Sequence, residues 1–337
     1  MHRTDWFHQS KWGIFSHYLA YLVNSNSPNG LLHSKGKGET SWDDCVKDFR
    51  VDTYARLAHE MHAGYVFFTV MQGTRFLCAP NDVYNRITGY SPGEACSTRD
   101  LIAELADALS AYGIPLLLYF TGDGAYLDHD VSRAFGYWDR TNQKVSESFV
   151  IKWAEVAREY SLRYGTMIKG WWIDGCHSTL GYDDSKMKIL GDAVRAGNPD
   201  TLVAFNNGVG YHNQYSKYED FTAGEANEFE VIPESRFAGT AQWHVLSFLG
   251  LPSEFYSWGN PAWGAPGSKY TGRQLTDYVR RVNGLGGVVS IDICTLRDGT
   301  VECGQFEILT ALGRAISADT DPRKTSEIHC MAGGADL

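Results

Sequence analysis

Short apolar runs alternate with longer stretches of helical period along most of this chain. Lys11-Trp12-Gly13-Ile14-Phe15-Ser16-His17-Tyr18 is short and apolar and closes on a polar His, which predicts a first strand. From Val51 to Ala63, Tyr54, Leu57, Ala58 and Met61 fall on one helical face, and Gly64 stops the helix. Tyr65 to Val70 is a continuous apolar run, as expected of a parallel strand covered on both faces. Ser97-Thr98-Arg99-Asp100 opens the next helix with a pattern like a capping box, and Gly113 ends it. A strand over Ile114–Phe120 and a helix over Glu147–Tyr164 follow, then Lys169-Gly170-Trp171-Trp172-Ile173-Asp174-Gly175, a buried strand that ends in a carboxylate. Helix Asp184–Ala196, strand Leu202–Phe205, helix Tyr270–Asn283, strand Val288–Asp292 and helix Cys303–Ile316 complete the series. The stretch 209–262 is irregular, with strand candidates around Phe221 and Gln242, and a polar tail over 318–337 is expected to fray.

This rhythm predicts an α/β fold, a single-domain (β/α)8 TIM-like barrel over residues 1–317. The rival is an open doubly wound sheet, which loses weight because no G-x-G-x-x-G follows the first strand. The loops Met71–Cys96 and Gly122–Lys144 are long enough to be functional. In a barrel, polar residues at the carboxyl ends of the strands converge on one mouth. That set here is His17, Gln72, Tyr119, Asp174, Asn206 and Asp292, the lining of a site for a neutral polar ligand.

Composition narrows the function. The net charge is −10 and no Lys/Arg stripe is present, so nucleic acid is not an expected partner. No apolar run reaches membrane-spanning length, so no membrane partner is expected. The 10 Trp and 19 Tyr suit a sugar site, where ring faces stack on C–H faces, as well as a core. Seven scattered cysteines without a CxxC pair predict reduced thiols and a cytoplasmic setting, and the first residues do not form a signal peptide. His59 and His62 sit three apart on a predicted helix but lack a carboxylate to complete a metal site, so neither metal nor cofactor is expected. Cys176 and His177 are adjacent on an extended segment and point apart, which sets aside a Cys nucleophile. Monomer and homo-oligomer both stay open.

Several segments, in order, resemble the α-L-fucosidase family, glycoside hydrolase family 29. Lys11–Tyr18 is similar to that family's K-F-G-I-F-x-H-W, and the stretch from Ser97 to Tyr119 to its R-D-L…G-L-Y-Y. Trp171-Trp172-Ile173-Asp174-Gly175 resembles L-W-F-D-G, the family's nucleophile motif. Asn206-Asn207-Gly208 followed by Asp220-Phe221-Thr222-Ala223-Gly224-Glu225 resembles N-D-R-W-G followed by D-F-x-T-P-E. Gly286 to Asp292, with Asp298-Gly299-Thr300 beyond, sits where the family has G-G-N-L-L-L-N and D-G-T. The resemblance spans roughly residues 5 to 317. It departs in three places: Gln72 and Gly73 occupy the positions of the family's paired His, Gly208 that of its Arg, and no β-sandwich follows the barrel in this chain.

The resemblance implies a retaining, exo-acting α-glycosidase that removes a terminal L-fucose or a related sugar from a carbohydrate substrate. Asp174 is then the nucleophile and Glu225 the acid/base, though Glu219, Glu228 and Glu230 lie close by in sequence. The implied substrate-binding set is His17, Gln72, Tyr119, Trp172, Asn206 and His244, the last placed at the mouth after the seventh strand. Trp42, Trp243 and Trp258 are further candidates for a stacking platform. The alternatives are a carbohydrate-binding barrel without turnover, and a glycosidase or transglycosylase of different sugar specificity.

Overall fold

The computed structural model describes residues 2–251 and 262–319. The tail expected from 318 lies outside that range beyond residue 319, as does Trp258. Seven parallel strands form one curled sheet. They are β1 (Trp12–Ser16), β2 (Val66–Thr69), β3 (Leu116–Thr121), β4 (Ile168–Asp174), β5 (Leu202–Phe205), β8 (His244–Phe248) and β9 (Val288–Ile293). A two-stranded hairpin, β6 (Phe237–Ala238) and β7 (Ala241–Gln242), precedes β8. The order across the main sheet is β5-β4-β3-β2-β1-β9-β8.

The gap between β5 and β8 is closed by the irregular stretch 220–226, which acts as the remaining stave. Toward β8 it makes a broken parallel ladder: Leu246 N–H donates to Gly224 O (3.0 Å) and Ala226 N–H to Leu246 O (2.8 Å). Toward β5, side chains replace missing backbone partners. Asp220 N–H donates to Val203 O (2.7 Å), while Val203 N–H donates to the Asp220 carboxylate (2.9 Å). Phe205 N–H reaches the Glu219 carboxylate at 3.4 Å. Arg3 and Arg195 pair with Asp220 at 3.2 and 2.7 Å, which offsets the cost of taking that charge out of water. The eight staves of the predicted (β/α) barrel are therefore present.

Alternation along the strands sorts side chains into two cores. Outward-facing residues such as Trp171, Leu118 and Phe120 pack under the helices. Inward-facing Phe15, Phe67, Leu117, Tyr119, Trp172 and Leu246 fill the barrel. The amino-terminal helix Asp5–Gln9, unforeseen from periodicity because it is barely one turn, seals the bottom. Its Phe7 is fully buried, with ring centroids 4.8 Å from Tyr65, 5.0 Å from Phe221 and 5.6 Å from His244.

The predicted helix Glu147–Tyr164 has those bounds. The helix expected from Tyr270 begins at Gly272, because Thr271 and Gln274 form a capping box there. The long loops carry short helices, among them Asp82–Thr88 and His129–Phe135. Each is under two turns, too short to show a period. Among the described residues no helix is long and apolar enough to cross a membrane.

Candidate active site

The fourth strand delivers Asp174 to the mouth of the barrel. Alternation puts Trp172 and Asp174 on the same, inward face, with Trp172 one layer below. Gly175 then has φ +68°, and a Cβ there would lie 2.3 Å from Asp123 Oδ1. Only glycine fits both the left-handed turn and that contact. The Asp174 carboxylate accepts from Tyr119 Oη at Oδ2 (2.6 Å) and from Asn206 Nδ2 at Oδ1 (2.8 Å). Burial, and then the charge of Asp174, hold the Tyr119 phenol well above its ordinary pKa, so it remains a donor.

Asn206, at the end of β5, is completely buried. Its Oδ1 accepts from Gly208 N–H (3.0 Å), which fixes the orientation of the amide. The same Nδ2 that meets Asp174 also donates to Glu225 Oε2 at 2.5 Å. The two carboxyl oxygens it touches therefore lie no further apart than the sum of those bonds, 5.3 Å. Glu225 is half-buried on the closing stave. Burial and then the negative charge of Asp174 push its carboxyl well above the ordinary range, against a smaller opposing effect of the Asn206 hydrogen bond.

The neighbouring glutamates have other employment. Glu219 is buried and accepts from Tyr215 and Phe205 N–H groups. Glu228 lies on the outside with Lys269 and Tyr270. Glu230 is exposed.

His17 caps β1 with Nδ1 2.6 Å from Asp292 Oδ1, and Asp292 Oδ2 accepts from Gly264 N–H at 2.5 Å. That buried pair fixes the imidazole, whose ring lies 5.6 Å from both Tyr119 and Trp263. Gln72 Oε1 accepts from Tyr21 Oη (2.9 Å), and its Nε2 has no protein partner among the described residues. Gln72 thus keeps a free donor.

Two of the sequence-predicted binding residues stand elsewhere. His244 is the first residue of β8 and so lies at the bottom of the barrel, not at the mouth. It is fully buried, with Nδ1 against Thr222 O (2.9 Å) and Nε2 against Ser290 Oγ (2.8 Å). Its expected place came from setting the seventh strand around Gln242, two residues too early. Trp172 is 2% exposed, donates Nε1 to Ala223 O (3.0 Å) and stacks under Tyr119 at 5.4 Å. It is the floor that steadies Tyr119 and offers no free face. Trp42 and Trp243 are core residues as well.

Three features of the mouth escaped the sequence reading. Trp263 is half-buried, with its ring 5.6 Å from His17 and 4.8 Å from Phe248. Asp123, in the loop after β3, is 2% exposed and its carboxyl is pushed up to about 8 by burial, with Arg140 opposing and Asp174 adding to the shift. Arg140 Nε lies 3.1 Å from Asp123 Oδ2 without a hydrogen-bond angle, an ion pair rather than a hydrogen bond, and its guanidinium covers the Tyr126 ring at 4.2 Å. Of these, only Asp123 carried a signal, the Gly-Asp-Gly sequence after a strand.

The family model for α-L-fucosidase matches residues 1–320. Among solved structures, an endo-fucoidan hydrolase of glycoside hydrolase family 107 has a TM-score of 0.70 at 14% identity, over 92% of this chain and 53% of that one. A GH29 α-L-fucosidase from Bacteroides thetaiotaomicron, solved as a trapped covalent intermediate, has a TM-score of 0.64 at 16% identity, over 94% and 74%. A fucosyltransferase mutant of the α-L-fucosidase AlfC has a TM-score of 0.64 at 18% identity, over 94% and 99%. At such identities the likeness establishes the barrel fold. The chain spans about half the length of the endo-fucoidan hydrolases it matches. No curated protein matches the sequence. By the family model, which covers all of the described residues, the chain belongs to the α-L-fucosidase family.

Proposed function

We propose that the protein is a retaining, exo-acting α-glycosidase that releases a terminal L-fucose or a closely related sugar by double displacement. One observation carries this reading: a single Asn206 nitrogen spans Asp174 and Glu225. A gap of that size suits a nucleophile that attacks the anomeric carbon itself. An inverting pair stands about 6.5–9.5 Å apart to admit a water.

In the first step Glu225 gives its proton to the glycosidic oxygen as the C–O bond breaks, and Asp174 forms an ester with the anomeric carbon. In the second, Glu225 takes a proton from water as the water displaces Asp174, so two inversions give net retention. The raised carboxyl of Glu225 suits the first role, since an acid must still hold its proton at working pH. Tyr119 and Asn206 hold the two oxygens of Asp174 in one orientation throughout. Gln72 Nε2, the His17–Asp292 pair and the Trp263 ring line the side where the departing sugar's hydroxyls and apolar face would sit. The match to the α-L-fucosidase model, with neighbours named as fucosidases and fucoidan hydrolases, supports a fucose-type sugar there.

The test is a panel of aryl α-glycosides with the wild-type protein, Asp174→Asn and Glu225→Ala. Release from the α-L-fucoside by wild type, with a loss of about a thousandfold or more in Asp174→Asn, is the expected outcome. Azide should give the retained α-fucosyl azide with Glu225→Ala, by displacing Asp174 from the covalent intermediate, and the inverted β-fucosyl azide with Asp174→Gly, by direct attack in place of the missing carboxylate. Full activity in Asp174→Asn would sink the mechanism. Saturable sugar binding without release would favour a binding barrel instead.

A further inference from the structure

The glycone-facing side of the mouth is built from β1, β2 and β9. The opposite sector, between the loops after β4 and β5, carries groups that the mechanism above leaves unused. Asn206 Oδ1 holds Gly208 N–H (3.0 Å), and Gly210 N–H donates to the main-chain carbonyl of Glu225 (2.8 Å). The segment from Gly208 to Tyr211 is therefore tied to both the amide that bridges the carboxyls and the acid/base itself. On this tethered segment Val209 is 52% exposed and Tyr211 37% exposed. Facing it from the loop after β4 is His177, with Nε2 3.7 Å from where a Cβ on Gly208 would stand. Ser178 N–H holds the two loops together through Asn207 Oδ1 (2.9 Å).

His177 is half-buried, yet neither ring nitrogen has a protein partner among the described residues. Burial lowers its pKa, with the charge of Asp174 opposing, so the ring is predominantly neutral and offers one donor and one acceptor. That is the complement of a sugar hydroxyl. The leaving group departs on the side of the group that protonates it, and Glu225 is that group.

Resting on the glycosidase reading above, we propose that His177 and Tyr211 form the leaving-group subsite and that it takes a saccharide, with His177 bonding a hydroxyl and Tyr211 lying against the C–H face. The subsite sets leaving-group specificity and does not take part in the bond-breaking chemistry.

The experiment compares α-L-fucosyl fluoride, whose leaving group is too small to reach the subsite, with fucosyl-galactose and fucosyl-N-acetylglucosamine disaccharides. Wild type, His177→Ala and Tyr211→Ala are assayed on each. The expected result is a fall of about tenfold in kcat/KM for at least one disaccharide in each variant, with fluoride hydrolysis changed by less than about twofold. Equal losses on fluoride and disaccharides would mean a structural role and overturn the subsite. So would unchanged disaccharide kinetics alongside active fluoride hydrolysis. Wild type inactive on every substrate, the fluoride included, would defeat the glycosidase reading and the subsite with it.

Discussion

Tyr119 touches the site with one atom, and that atom can be removed alone. Tyr119→Phe keeps the ring stacked on Trp172 and deletes only the 2.6 Å hydrogen bond to Asp174. A bond to a charged group is worth about 1.5–3 kcal/mol, so kcat/KM should fall by roughly tenfold to a hundredfold with little change in melting temperature. Glu225 gives a second prediction. Its carboxyl is held up first by burial and then by the charge of Asp174, so activity should decline on the basic side as pH rises through its titration and the acid form is lost. Asp174→Asn removes the repulsion, and the Glu225 midpoint, followed by carbon-13 NMR, should move down; no movement would dissociate the two groups. At this scale Asp174 and Asn206 were legible because each ends an apolar run, and Tyr119 because it is the polar-tipped ring next to the end of another. The His17–Asp292 pair was legible only as two separate polar ends, since its members stand 275 positions apart. Trp263 and Arg140 were not legible, because irregular loops place them and no periodicity reports on such loops.

The closing stave 220–226 was the least legible element. It is buried along nearly its whole length but has no unbroken ladder, and Asp220 and Glu219 supply hydrogen bonds that backbone supplies elsewhere. Two carboxylates in a segment read as irregular do not announce a strand, so Glu225 emerged from a family resemblance and not from pattern. Asp220 carries the join to β5 and binds both Arg3 and Arg195. Asp220→Ala leaves those cations without their partner and Val203 N–H without an acceptor. Loss of one member of such a buried pair costs about 3–5 kcal/mol, which a urea titration would show as an earlier midpoint. Because Glu225 rides on the same stave, activity should drop even where the variant remains folded.

Over the whole molecule, the strand–helix rhythm gave the barrel because inward and outward faces are both apolar along most strands. What it did not give was the bottom seal, a five-residue helix whose one large buried side chain is Phe7. Phe7→Ala should open a cavity among Tyr65, Phe221 and His244 and cost about 3–5 kcal/mol, measured by thermal or denaturant unfolding. The carboxyls stand at the other end of the barrel, so kcat below the new melting temperature should stay near the wild-type value. A large loss of kcat would mean that the two ends of the barrel are mechanically linked.

The bridging amide of Asn206 also decides where a proton can rest. Both of its hydrogens are spent, one on each carboxyl group, and its oxygen is occupied by Gly208. Glu225 Oε2 is thereby engaged as an acceptor, the role of a carbonyl oxygen in a protonated acid. The hydroxyl of that acid falls to Oε1, the oxygen that Asn206 does not touch. In the double displacement proposed above, a shuttle that delivers one proton outward and later collects one from water thus has its exit assigned by a neighbour that never exchanges a proton itself.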